Sequence, residues 1–223
     1  MERALQHYEQ ERRAGALEAA RLLLASAVTS PRLGGVGEVV INLIQDPAEL
    51  EDLALTMEDL AKENQAWSFF TRDAAMLRSA DAVLVMSSMR SLDDPADINC
   101  GYCGLVTCEN FRAREKLPNE PGVAFTGPLC YLRVCNVAYA LGGAASLAEQ
   151  LGVDYTILFS AALAARRNGH TPRRSGFSLA IAISVTEKSP FRDMPKKSGE
   201  INERTMQDRI INRLWPQFRS IYS

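Results

Sequence analysis

Asp81-Ala82-Val83-Leu84-Val85-Met86 is a short, almost wholly apolar run that follows a stretch of helical character. An apolar run of that length reads as the central strand of a sheet. Phe177-Ser178-Leu179-Ala180-Ile181-Ala182-Ile183-Ser184-Val185 alternates large and small side chains and reads as a second strand. Val39-Val40-Ile41-Asn42-Leu43-Ile44 is β-rich but short, so strand and buried helix both fit it.

Helices fill the spaces between. Leu17, Ala20, Leu24 and Ala27 recur at three- and four-residue spacing, which predicts a helix over residues 2–27, ended by Thr29-Ser30-Pro31-Arg32. Leu33-Gly34-Gly35-Val36-Gly37 then reads as a flexible loop. Asp46 before Pro47 is an N-cap before a first-turn proline and opens a helix through about residue 62. Further helices are expected over 71–78, from after Gly104 to about 115, over 129–151 and over 155–167. Gly152 is the C′ residue of the third of these. Residues 186–200 read as a linker and 203–215 as a terminal helix with Ile210, Ile211, Leu214 and Trp215 on one stripe. The expected architecture is an α+β domain, a small central sheet wrapped by helices in a three-layer manner, with an inserted loop over 99–130. Residues 1–187 form that domain, and 188–223 a linker and C-terminal helical arm.

The inserted loop follows the central strand. It reads Asn99-Cys100-Gly101-Tyr102-Cys103-Gly104-Leu105-Val106-Thr107-Cys108, with a fourth cysteine in Gly127-Pro128-Leu129-Cys130. C-x2-C-x4-C followed at a distance by another Cys is how a chain wraps a compact soft centre, and four thiolates are the usual ligand set of an iron–sulfur cluster. Gly101 and Gly104 permit tight turns there. Cys100, Cys103, Cys108 and Cys130 are therefore read as ligands of a [4Fe–4S] cluster. Structural zinc is the alternative metal, since four thiolates also suit tetrahedral Zn²⁺. Buried or redox-active thiols are a third reading. Cys135 is the odd thiol, a small core residue or a substitute ligand.

Composition narrows the partners. The 223 residues carry 25 basic and 27 acidic side chains, a formal charge of −2, where a dedicated nucleic-acid or membrane-surface binder would be strongly basic. No apolar stretch reaches the roughly 18 residues that span a bilayer, and residues 1–7 lack a secretory h-region. Five cysteines crowded into residues 100–135 do not form a secreted disulfide framework, so the expected compartment is the cytoplasm. His7 and His170 stand in no nucleophile–base motif, and no phosphate-binding loop of the G-x-x-x-x-G-K-[ST] kind is present. Arg166, Arg167, His170, Arg173 and Arg174 form a basic cluster, readable as a solvated loop or as an anion site. Gly142-Gly143 inside a helix costs roughly 1 kcal/mol per glycine. Close packing of a neighbouring helix, or of a cofactor, would compensate.

Together these segments resemble an uncharacterised prokaryotic family of ferredoxin domain-containing proteins over roughly residues 12–187. The likeness runs through residues 25–32 with the glycine loop, 69–74, 79–85, Asn99–Gly104 with Cys108, Gly127–Cys130 and Ala140–Ala144. The resemblance implies a four-cysteine cluster on Cys100, Cys103, Cys108 and Cys130, and no defined reaction. The order of elements is also similar to nitroreductase-like flavoproteins, where the Ser-Pro turn and a late Arg lie near the flavin. That similarity implies FMN contacts at Ser30, Arg32 and Arg192. The paired arginines that hold FMN phosphate in such proteins stand well ahead of the turn, whereas Arg12 and Arg13 are too close to it. The alternative for Arg32 is that it caps a helix end. The function expected is electron transfer or reductive oxidoreductase chemistry in a homodimer, with a redox partner or a small-molecule substrate. A non-catalytic interaction module held together by a cluster or zinc is the alternative.

Overall fold

A computed structural model describes residues 2–35, 38–89, 97–114, 124–125 and 127–193. The chain divides into two units, Met1–Asp193 and Met194–Ser223, and the description concerns the first. The expected terminal helix over 203–215 and residues 194–200 of the linker before it lie outside the described residues.

Ten principal elements follow one another: α1 (Glu2–Thr29), β1 (Val39–Ile44), α2 (Pro47–Glu63), α3 (Phe70–Arg78), β2 (Ala82–Met89), α4 (Cys108–Arg114), α5 (Tyr131–Leu151), β3 (Asp154–Ile157), α6 (Phe159–Arg167) and β4 (Ser175–Ser184). The four strands form one antiparallel sheet in the order β1-β2-β4-β3. The fold is α+β, as the alternation of patterns implied. Val39–Ile44 is a strand, paired with β2 from Val39↔Ser88 to Ile44↔Val83.

Strand β2 lies in the middle because seven of its eight residues are buried. Its register with β4 sorts side chains by size. Leu84 faces Ile181 and Met86 faces Leu179, while Val85 faces Ala180 and Ser87 faces Ser178. Ala82, Leu84 and Met86 pack with Ile181 and Ile183 against Leu23 and Ala27 of α1 and Val137, Ala140 and Ala144 of α5. On the other face the small residues of β4 allow α6 to approach closely. Ser160, Ala161, Ala162, Ala164 and Ala165 of α6 are all fully buried there, with α2 and α3 packed outside them. Helices thus cover both faces of the sheet, and the structure has three layers.

Two expectations are corrected. Residues 155–167 are not one helix: Asp154–Ile157 is an edge strand paired with β4, and α6 begins at Phe159. Tyr, Thr and Ile at 155–157 favour a pleated, half-buried surface over a helix. Cys130 is not inside the long helix but precedes it, with extended backbone (φ −70°, ψ 121°). The caps behave as read. Asp46 accepts the Ala48 N–H at 2.7 Å, and Gly152 ends α5 in the left-handed conformation (φ 68°).

Of the glycine pair, Gly143 has the packing reason. A Cβ there would lie 2.2 Å from Ser30 Oγ and 3.3 Å from the Ser26 carbonyl oxygen, so α1 and α5 meet across it. Gly142 faces open space. Arg12, in α1, donates from Nη1 to both carboxylate oxygens of buried Asp81 at 2.9 Å and to the Val185 carbonyl at 2.9 Å. Arg13 donates to the Gln45 carbonyl. These arginines pin α1 to the ends of the strands.

Candidate metal centre

The loop after β2 is shaped by four residues of positive φ: Asp97 (30°), Asn99 (52°), Gly101 (73°) and Gly104 (80°). Glycine adopts this region without cost, and Asn and Asp tolerate it better than other side chains. Asn99 Oδ1 accepts the Cys108 backbone N–H at 2.7 Å, and the Gly104 N–H donates to the Gly101 carbonyl at 2.9 Å. The turn therefore folds back on itself and brings Cys100 and Cys103 toward the start of α4. Thr107 opens that helix, its Oγ1 accepting the Asn110 N–H at 3.1 Å. Phe111, 4% exposed, anchors α4, and Arg112 bridges back to Asp97 at 3.3 Å.

Cys130 reaches the same place from the other direction, at the N-terminus of α5. All four cysteines, Cys100, Cys103, Cys108 and Cys130, line one pocket of about 400 Å³ counting its open mouth, with Asn99, Phe111, Arg112, Tyr131 and Arg133 also in its wall. None is in a disulfide, and Cys100 is exposed while the other three are half-buried. Among the described residues, no three His, Cys, Asp or Glu side chains are arranged around a single point to hold one metal ion. The two observations are compatible, because a cubane presents a separate iron to each thiolate and its ligands surround a cage rather than meet at one atom.

Among the described residues, the pocket wall carries Arg112 and Arg133 and no acidic side chain. No acidic residue lies in the first turn of α5, and the Cys130 side chain makes no capping hydrogen bond. The positive end of the helix dipole favours an anion beside Cys130. Arg133 is only 6% exposed, with its guanidinium carbon 5.8 Å from the centre of the Phe111 ring. Sequence reasoning passed over Arg133, although its position three residues after Cys130 places both on one side of the chain's first helical turn. It also passed over Asn99 as a loop-closing acceptor.

The fifth cysteine stands apart. Cys135 is not among the residues lining the pocket. It bonds with the hydroxyl of Tyr131, which raises the phenol's pKa above its ordinary value. The Tyr131 ring in turn lies 5.0 Å from that of Tyr102.

The residues suggested for FMN make the following contacts within the chain. Ser30 Oγ donates to the Ser26 carbonyl at 2.8 Å. Arg32 wraps the end of α1, donating to the carbonyls of Ser30 (2.8 Å), Ala27 (3.2 Å), Pro31 (3.3 Å) and Val28 (3.4 Å), which is the capping role. Arg192 lies 3.7 Å from Asp154, at the start of β3. The basic cluster is partly used as well: Arg166 stacks 5.5 Å from the Phe125 ring and donates to the Gly176 carbonyl, and Arg167 pairs with Glu63.

A family model described as an uncharacterized protein containing a ferredoxin domain matches residues 126–194, which begin just before Cys130. An uncharacterized protein of Archaeoglobus fulgidus is 30% identical over 180 residues, covering 80% of this chain and 92% of the relative. The chain belongs to this ferredoxin-domain family. Among solved structures, the ferredoxin-domain protein is similar to a nitroreductase with bound FMN from Desulfitobacterium hafniense (11% identity, 83% of this chain and 84% of that one, TM-score 0.49). It is also similar to nitroreductase A from Vibrio parahaemolyticus (12% identity, 92% and 77%, TM-score 0.46). Among the described residues of the ferredoxin-domain chain, no helix is long and apolar enough to cross a membrane.

Proposed function

We propose that this protein is a redox protein that holds a [4Fe–4S] cluster on Cys100, Cys103, Cys108 and Cys130 and serves electron transfer or a reductive reaction. The observation that carries the proposal is the convergence of those four thiols, from two segments distant in sequence, on the wall of one pocket. Soft thiolates select iron–sulfur clusters or zinc over hard-cation chemistry. When bound, the cluster supplies one-electron chemistry.

The chain's own residues do the rest. Asn99 holds the first two cysteines against the third, and Phe111 keeps water from one side. The start of α5 and Arg133 place positive charge where the thiolates gather negative charge. The homodimer expected from the sequence belongs to the same proposal, with exposed Leu22 and Val28 on α1 and Tyr139 on α5 as apolar surface for it to cover. Light scattering of the purified protein tests that part.

Anaerobic purification or reconstitution, followed by iron, sulfide, zinc and flavin analysis of one sample, is the test. The expected result is about four iron and four sulfide per chain, lost in Cys130→Ser and kept in Cys135→Ser. Stoichiometric zinc without sulfide would make the chain a zinc-stabilised module instead. Released FMN in the same sample would mark a flavin–iron–sulfur reductase; a full cluster without flavin marks a carrier.

A further inference from the structure

We infer that Cys100 is the exchangeable ligand of the centre: it holds the corner that a small thiolate, or another compact anionic donor, reaches from solvent. This rests on the cluster reading above. The four thiols differ in their settings. Cys100 is exposed, whereas Cys103, Cys108 and Cys130 are half-buried. It stands within an unbroken run of exposed residues, 97–102, and its neighbours Asn99 and Gly101 both have positive φ. A Cβ built on Gly101 meets nothing within 4 Å, so the chain beside Cys100 faces open space.

The other three are anchored. The Gly104 N–H closes a turn on the Gly101 carbonyl at 2.9 Å, and Cys103 lies inside that turn. Cys108 opens α4, where Asn99 Oδ1 holds its N–H at 2.7 Å and buried Phe111, one turn on, fixes the helix. Cys130 is the N-cap of α5, its carbonyl accepting the Val134 N–H at 3.0 Å, so a 21-residue helix packed on the sheet stands behind it. Displacing a ligand needs room for the incoming donor and freedom for the outgoing thiolate to move away. Local opening is cheapest where a segment is exposed and makes few buried contacts, and thiol reactivity follows access. Both conditions meet at Cys100. A soft iron site favours a thiolate as the replacement. Each thiolate of a four-iron centre holds its own iron, so exchange at Cys100 opens one corner and leaves three ligated.

The experiment has two arms. In the first, reconstituted wild-type protein receives one equivalent of ferricyanide together with iodoacetamide. Ferricyanide takes one electron, the four-iron centre gives up one ferrous ion, and the thiolate left behind is alkylated with loss of iodide. Peptide masses, compared with an unoxidised sample, are expected to place the new label on Cys100. A label on Cys103, Cys108 or Cys130 instead, or on none of the four, overturns the inference. In the second arm, Cys100→Ala, Cys103→Ala, Cys108→Ala and Cys130→Ala are reconstituted with and without 2-mercaptoethanol as the probe thiol. Cys100→Ala is expected to keep its sulfide and about three irons per chain, seen by electron paramagnetic resonance once oxidised. Ferrous iron with 2-mercaptoethanol restores the missing iron there, and the other three variants hold no cluster. A folded Cys100→Ala protein as empty as the others overturns the inference; where circular dichroism shows that it does not fold, the alkylation arm decides. Wild-type protein that takes up no iron and sulfide overturns the cluster reading itself, and this inference with it.

Discussion

The side-chain oxygen of Asn99 accepts the backbone N–H of Cys108 at 2.7 Å, with Asn99 itself in the left-handed region at φ 52°. One residue thus supplies both the reversal in the chain and the bond that holds three of the four thiols in one loop. Asn99→Ala removes the acceptor and places a methyl side chain in a conformation it resists. A lost side-chain-to-backbone cap of this kind costs about 1 kcal/mol, equivalent to roughly a fivefold change in an equilibrium. Release of iron to a chelator from reconstituted protein is expected to speed up by that order in Asn99→Ala and by less in Asn99→Asp, which keeps an acceptor. Equal release from all three proteins would show that the bond does not hold the loop.

Adjacent glycines in α5 are expected to respond in opposite directions. Gly142→Ala adds a methyl group in open space, and replacing an interior helical glycine stabilises by up to about 1 kcal/mol. Gly143→Ala drives a methyl group into Ser30 Oγ and against the Ser26 carbonyl, and overpacking of this sort costs about 1–3 kcal/mol. Adding Ser30→Ala to Gly143→Ala removes the nearer atom and recovers part of the loss. Chemical denaturation of the three variants measures the difference, and stabilisation by Gly143→Ala alone would contradict the observed approach of α1 to α5.

Asp81 and Arg12 provide a second stability test. Arg12→Met leaves a carboxylate that is 8% exposed with the Val185 N–H as its remaining described donor. Stranding a buried charge costs several kcal/mol, less where water still reaches it, so a loss of about 2–3 kcal/mol is expected. In a double-mutant cycle, adding Asp81→Asn to Arg12→Met should give back part of that loss. Strict additivity of the two single changes would mean the pair is not coupled.

Asp73 gives the stability a pH dependence. Burial pushes its carboxyl pKa up, and the hydrogen bond donated by Ser160 at 2.6 Å and the charge of Arg72 only partly offset this. The folded chain therefore holds this proton more tightly than the unfolded chain, whose carboxyl titrates near about 3.9. The contribution is fully present below that ordinary value and is lost as pH rises through the raised folded value. Asp73→Asn keeps an acceptor for Ser160 and removes the titration. Its stability relative to wild type should improve as pH rises from the acid side, and urea midpoints across that range measure the difference. A constant gap between the two proteins would place the pH dependence elsewhere.

Much of this protein was legible because its signals are local. The apolar run at 82–86, the Asp46–Pro47 cap and the glycine after Leu151 each act through their own backbone, and each appears where it was read. The spacing of Cys100, Cys103 and Cys108 is local in the same sense. Asp154–Ile157 was missed because an edge strand is made by its partner: pairing with Ile181–Ser184 turns an ambiguous run into β structure. The pairing of Arg192 with Asp154 likewise depends on what stands nearby, whereas capping is one of the two readings that the sequence gives Arg32.

Residue types and their order determined an α+β chain with four thiols suited to a soft metal centre, since propensity, capping and ligand chemistry belong to the residues themselves. Tertiary structure brings Cys130 to the pocket lined by the other three and leaves Cys135 out of that lining. It also decided that Gly143 rather than Gly142 is held by a neighbouring helix, and that a buried arginine shares the wall with the thiols. Those facts depend on which faces of separate elements meet, and packing across the sheet, not sequence spacing, sets that.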